Sequence, residues 1–141
     1  HAPKFYVPIF KGKILQVSGY PERPPAPAGD VMTVGFRILG TDFTALNGGP
    51  EFGFTEATSF VVHCKTQREV DYYWKRLTSG GGKPVQCGWL KDKYGLSWQI
   101  VPTELLDAWS TKDKAKAARV MKAMHPMKKL DIKRLKAAAR G

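Results

Sequence analysis

From Val31 to Leu39 the chain alternates, with Met32, Val34, Phe36 and Ile38 on one side and Val31, Thr33, Gly35, Arg37 and Leu39 on the other. A period of two marks a half-buried strand, and the Met32 side is expected to face a core. Similar patterns place strands over Lys13–Tyr20, Phe43–Asn47, Thr58–Cys64, Lys83–Cys87, Gly88–Lys91 and Leu96–Pro102. Within Thr58–Cys64, the residues Phe60, Val62 and Cys64 face one way, and Ser59, Val61 and His63 the other. The period changes to 3.6 at Thr66–Leu77, where Val70, Tyr73, Trp74 and Leu77 form the stripe of a helix packed on a sheet. Thr66 and Glu69 make a T-x-x-E capping box at its start, and Ser79 with Gly80–Gly82 stops it.

Pro3–Phe10 has near-helical apolar spacing, but Pro8 should end or kink a helix there. The four prolines of 21–30 forbid regular pairing, so this stretch is expected to be a connecting loop, with a proline-rich peptide ligand as the alternative. Helices are expected over Glu104–Trp109, from a Ser110 or Thr111 cap to Pro126, and after Asp131. In the middle one, Ala117, Val120, Met121 and Met124 share a face, and in the last Ile132 and Leu135 point inward. Between the strands Gly88–Lys91 and Leu96–Pro102, Asp92-Lys93-Tyr94-Gly95 has hairpin-turn chemistry, because Gly95 takes a positive φ without steric cost.

A chain of 141 residues with 43% hydrophobic residues has one globular domain's worth of sequence. Cys64 and Cys87 both fall in apolar strand patterns, as reduced thiols of a cytoplasmic protein would. No apolar run approaches 18 residues, so no membrane partner is expected. The net charge of +11 suggests nucleic acid until it is divided along the chain. Residues 1–111 hold 12 basic against 10 acidic side chains, whereas 112–141 hold 11 against 2. The basicity belongs to the last helices, which lack the interleaved aromatics that stack bases, so a nucleic-acid partner is disfavoured.

Three side chains are candidates for catalysis. His63 is a candidate general base, Asp92 a candidate acid or base beside Lys91 and Lys93, and Cys87 a candidate nucleophile. Each also has a plain structural reading, and for Asp92 that reading is a turn carboxylate bonded to its own backbone. Trp89 and Trp98 are candidates for the apolar wall of a ligand pocket, or for core.

The segments ALNGGP (45–50), TSFVVHC (58–64), TQREVDYYWKRL (66–77) and CGWLKDKYGLSWQIVP (87–102) resemble the PhnB-like branch of the vicinal oxygen chelate superfamily, which includes glyoxalases and bleomycin-resistance proteins. PhnB-like sequences often carry the name 3-demethylubiquinone 3-methyltransferase, which the residues here do nothing to support. The resemblance implies an α+β domain over 1–110, with two βαβββ units (1–50 and 57–102) whose strands curl into a mixed sheet. Residues 111–141 would form a basic helical extension packed on it. The first strand of the first unit, which should precede Ala2, is absent from the sequence. It was lost, a partner chain replaces it, or the fold has rearranged.

Metal-using members of the superfamily hold a divalent ion with His or Glu at four strand positions. The last strand's Glu position falls on Gln99, the second unit's first His on Ser59, and the first unit's Glu on or near Asn47. Amides and a hydroxyl lack the charge that strips a divalent ion of its water, so no metal ligand is assigned and no cofactor is expected. The expectation is therefore a protein that binds, with or without transforming it, an unknown small organic molecule through Asn47, Ser59, Gln99, Trp89 and Trp98, as a homodimer. A metal-dependent lyase, isomerase or dioxygenase of the same superfamily is the first alternative. The second is an adaptor for nucleic acid or an acidic partner, working through the basic tail.

Overall fold

The computed structural model describes residues 2–21 and 30–141. Most of the proline-rich stretch, 22–29, and with it the peptide-ligand alternative, lies outside them. The chain is α+β and forms two compact units, His1–Gly53 and Phe54–Gly141.

In the first unit, helix α1 (Ala2–Ile9) precedes strands β1 (Lys13–Gly19), β2 (Val31–Ile38) and β3 (Thr41–Leu46), which form an antiparallel sheet in the order β1-β2-β3. Tyr6, Ile9 and Phe10 of the α1 segment are buried with Phe36 and Ile38, on the face that the alternation of β2 selects. The Tyr6, Phe36 and Phe43 rings stack in series at 6.4 and 5.5 Å. Pro8 sits inside α1, which ends one residue later, and the chain reverses at Lys11 with φ of 51°. That turn closes with the Gly12 amide donating to the Val7 carbonyl at 2.8 Å.

In the second unit, β4 (Ser59–Cys64) and helix α2 (Gln67–Leu77) lead to β5 (Lys83–Pro84), β6 (Trp89–Lys91) and β7 (Ser97–Pro102). The sheet order is β4-β7-β6-β5, with β4 parallel to β7 and the other pairs antiparallel. Matched by order, β1, β2 and β3 correspond to β5, β6 and β7. Among the described residues, nothing in the first unit stands beside β3 as β4 stands beside β7.

Local chemistry explains the edges of these elements. Thr66 caps α2 by accepting from the Glu69 amide at 3.2 Å, but the Glu69 carboxylate reaches back to the Lys65 amide, one residue before the expected Thr66. The expected strand Lys83–Cys87 shrinks to two residues, because Pro84 offers no donor and Cys87 turns to φ of 60°. Cys87 is therefore not a strand residue.

Helices α3 (Thr103–Ser110), α4 (Lys114–Met124) and α5 (Ile132–Arg140) follow. Neither Ser110 nor Thr111 caps α4. Thr111 accepts from the Asp113 amide instead, and Asp113 becomes the cap, taking the Lys116 amide at 2.9 Å. Asp131 caps α5 in the same way through the Arg134 amide at 3.0 Å. These helices make a second core, in which Val120, Met124, Met127, Leu130 and Leu135 are buried against Val101, Leu105 and Ala108.

Gln67 ties this core to α2, since its side chain donates to the Leu130 carbonyl at 3.1 Å and accepts from the Ile132 amide at 2.8 Å. Gly88, at φ of 84°, holds it to the sheet edge. A Cβ there would stand 2.9 Å from Leu130 and 3.0 Å from the Ile100 carbonyl oxygen, so only glycine permits this approach.

Burial, and secondarily the Glu69 carboxylate, pushes the Cys64 thiol up to about 12 from its ordinary 9.0. Its folded value exceeds its unfolded one, so the stability this thiol contributes is complete below about pH 9 and is lost as pH rises from there towards 12. Two results are expected: unfolding titrations that weaken above pH 9 less steeply in Cys64→Ala, and alkylation of Cys64 at pH 8 no faster than the protein opens.

Candidate functional site

Helix α2 covers one face of the second unit's sheet. Val62 and Cys64 of β4, Leu90 of β6, and Trp98 and Ile100 of β7 are buried on that side together with Val70 and Leu77. Because neighbours along a strand point to opposite faces, Ser59, Val61 and His63 must share the other face with Ser97, Gln99 and Val101 of β7 and with Trp89 and Lys91 of β6.

The register sets these side chains in rows across the strands. One row runs Lys83, Lys91, Ser97, Ser59, and the next runs Trp89, Gln99, Val61. His63 lies opposite Val101. The Gln99 side-chain amide donates to the Ser59 hydroxyl at 3.0 Å, a diagonal contact between the two rows. This face is wet: Val61 is 44% exposed, His63 is exposed, and Ser59, Gln99 and Trp89 are half-buried. At the Val101 end it is closed by the helical core.

Of the five residues expected to hold a ligand, the structure brings Ser59, Gln99 and Trp89 onto this one face. Trp98 lies on the reverse side, 3% exposed, with its ring 5.6 Å from that of Phe60. Asn47 belongs to the first unit. There its side chain donates to the Val31 carbonyl at 3.3 Å, and its own carbonyl accepts from the Tyr20 hydroxyl.

The three catalytic candidates stand apart from one another. Asp92 is buried in the hairpin turn. One carboxylate oxygen accepts from the amides of Tyr94 (2.8 Å) and Leu96 (3.2 Å), and the other from the Trp98 indole N–H at 2.9 Å. The turn closes with the Gly95 amide on the Asp92 carbonyl, Gly95 having φ of 83°. Cys87 packs against the helical core with its sulfur 3.7 Å from the His125 carbonyl oxygen, and no base adjoins it in these contacts. His63 points from the open face.

Sequence reasoning missed Ser97. It is 1% exposed, directly cross-strand from both Ser59 and Lys91, and its hydroxyl has no hydrogen-bond partner. Two steps along the strand from Gln99 would have placed it on the same face. Lys91, singled out only as a neighbour of Asp92, also belongs here, and its ammonium pairs with the Glu56 carboxylate. That contact holds the Glu56 carboxyl below its ordinary value, chiefly through the hydrogen bond from Lys91. Among the described residues, no three His, Cys, Asp or Glu side chains come together as ligands for an ion. Ser59 and Gln99, both uncharged, bond to each other.

The family model for 3-demethylubiquinone-9 3-methyltransferase matches residues 1–101. Among solved structures, a Bacillus cereus PhnB protein named for that same methyltransferase is similar at 32% identity, over 72% of this chain and 88% of that one, with a TM-score of 0.63. A Pseudomonas aeruginosa protein, 17% identical over 72% of this chain and 86% of its own, shares the fold with a TM-score of 0.58. No curated protein matches.

Proposed function

We propose, from the premise that this chain belongs to the 3-demethylubiquinone-9 3-methyltransferase (PhnB-like) family, that it binds a small organic molecule on the open face of the β4-β7-β6-β5 sheet. This is the glyoxalase/bleomycin-resistance manner of binding, here without a tightly held metal. The observation that carries the reading is the Gln99–Ser59 hydrogen bond, half-exposed beside Trp89 on a sheet face that α2 does not cover. An amide and a hydroxyl orient a ligand by donating and accepting hydrogen bonds, and an indole gives it an apolar wall.

The same chemistry argues against a firmly bound divalent ion. Ser59 and Gln99 are uncharged, and the Ser59 oxygen already accepts from the Gln99 amide, so the pair offers no charge to compensate an ion for lost water. No proton-transfer step is assigned. Asp92 spends both oxygens on the turn and the Trp98 indole, and among the described residues no hydrogen bond orients His63.

A thermal-shift screen of small organic molecules, followed by amide chemical-shift mapping, tests the reading. Hits should perturb Ser59, Gln99 and Trp89, and Gln99→Ala should weaken them by about 1 kcal/mol, roughly fivefold. Hits that map elsewhere, or that tolerate both Gln99→Ala and Trp89→Ala, overturn it. Stoichiometric nickel, zinc, iron or manganese in protein purified without added metal would overturn the metal-free part alone.

A further inference from the structure

The row Lys83, Lys91, Ser97, Ser59 is built unlike the rest of the face. It sets two ammonium-bearing side chains directly opposite each other on adjacent strands, where like charges repel. Next to Lys91 it places the Ser97 hydroxyl, buried and without a hydrogen-bond partner. Buried hydroxyls are normally satisfied, so an orphan between a cation and a second hydroxyl marks where a polar atom is wanted. Among the described residues, the carboxylate that compensates this row is Glu56, on the exposed segment just before β4, which pairs with Lys91. Lys83 has no acidic partner among the described residues.

We infer that this row takes an organic oxyanion, a carboxylate or a phosphate ester, held by Lys91, Lys83 and the Ser97 hydroxyl, with the ligand's carbon skeleton against Trp89. The inference rests on the reading of the open face as a ligand site, and it adds the ligand's chemical class. Glu56 then occupies, in the free protein, the place of the ligand's charged oxygen. A ligand oxyanion displaces it from Lys91 and can accept from Ser97 as well. Charge-assisted hydrogen bonds from an ammonium to an oxyanion are the stronger kind, so Lys91 should discriminate between an acid and its neutral amide.

Three probes with one aromatic ring separate the cases: phenylacetate, phenyl phosphate and the uncharged phenylacetamide, each titrated into the isotope-labelled full chain. The two anions should shift the amides of Lys83, Lys91 and Ser97, with the amide probe about tenfold weaker. Whichever anion binds tighter identifies a carboxylate or a phosphate ligand. Lys91→Met should cost the anions about tenfold and leave phenylacetamide unchanged. Glu56→Gln should tighten anion binding several-fold, because it removes the competing carboxylate, and a purely structural ion pair would not give that sign. Lys91→Gln and a melting curve for each variant separate lost binding from lost folding.

Equal affinity for acid and amide at Trp89 and Gln99 overturns this inference and leaves the small-molecule reading standing. Anion shifts confined to the lysines of α4 and α5, or no probe binding on this face, overturn the inference as well.

Discussion

Asp92→Ala is expected to destabilise the second unit by about 3–5 kcal/mol, measured by urea denaturation with Trp fluorescence. The carboxylate is 3% exposed and takes three donors: the Tyr94 and Leu96 amides and the Trp98 indole N–H. Truncation leaves these donors without partners. Each buried unsatisfied donor costs roughly 1–3 kcal/mol, and the indole, sealed on the α2 side of the sheet, has no route to water. Asp92→Asn should cost less, about 1–3 kcal/mol, since its carbonyl oxygen can still accept while its NH2 faces a donor. An exposed acid–base residue in a mobile turn would behave differently, losing no more than about 0.5 kcal/mol in either variant. That result would return Asp92 to the list of catalytic candidates.

What the sequence made legible was whatever periodicity alone controls. The alternation of β2 selected Phe36 and Ile38 as core, and the stripe of α2 selected Val70 and Leu77, because one buried face is enough to fix both patterns. The turn at Asp92 to Gly95 was legible because positive φ at its end admits few residues. Cys87 was misplaced in a strand because an apolar neighbourhood cannot reveal a residue whose left-handed backbone is fixed by distant hydrogen bonds, here to Met127. The cap of α4 was misplaced for a related reason: Thr111, a good cap by type, is already used in a turn with Asp113.

The candidate site was half legible. The motifs pointed to Ser59 and Gln99, and the pairing of β4 with β7 joins them. Trp98 and Trp89 looked equivalent, but register decides between them: Trp89 lies opposite Gln99, whereas Trp98 lies opposite Phe60 and Leu90. Period two from Gln99 puts Ser97 on the same face, but nothing local singles it out there, because its interest comes from an unsatisfied hydroxyl beside a cross-strand lysine.

Ending the chain at Ser110 is expected to abolish cooperative folding of the second unit, even though the deleted residues look like a solvated basic appendage. Val120, Leu130 and Leu135 are essentially fully buried, and Met124, Met127 and Ile132 nearly so. Removing one buried leucine side chain costs about 2–5 kcal/mol, so losing all six, about 12–30 kcal/mol, matches or exceeds the roughly 5–15 kcal/mol that holds a whole domain together. The cut also strips the Cys87 and Gly88 amides of their acceptors, the Met127 and Lys128 carbonyls, both at 2.7 Å. A truncated chain that melts cooperatively in circular dichroism, within about 2 kcal/mol of the full chain, would refute this. Deletion is thus the wrong test for a polyanion partner, because it confounds lost charge with lost fold. The two acids of the segment, Asp113 and Asp131, are both spent on helix caps, which leaves its exposed cations largely uncompensated. Reversing Lys114, Lys122 and Lys133, all exposed, changes the field while sparing the core, at about 0.5 kcal/mol or less per site. Salt-sensitive polyanion binding that persists unchanged in that triple variant does not run through these helices.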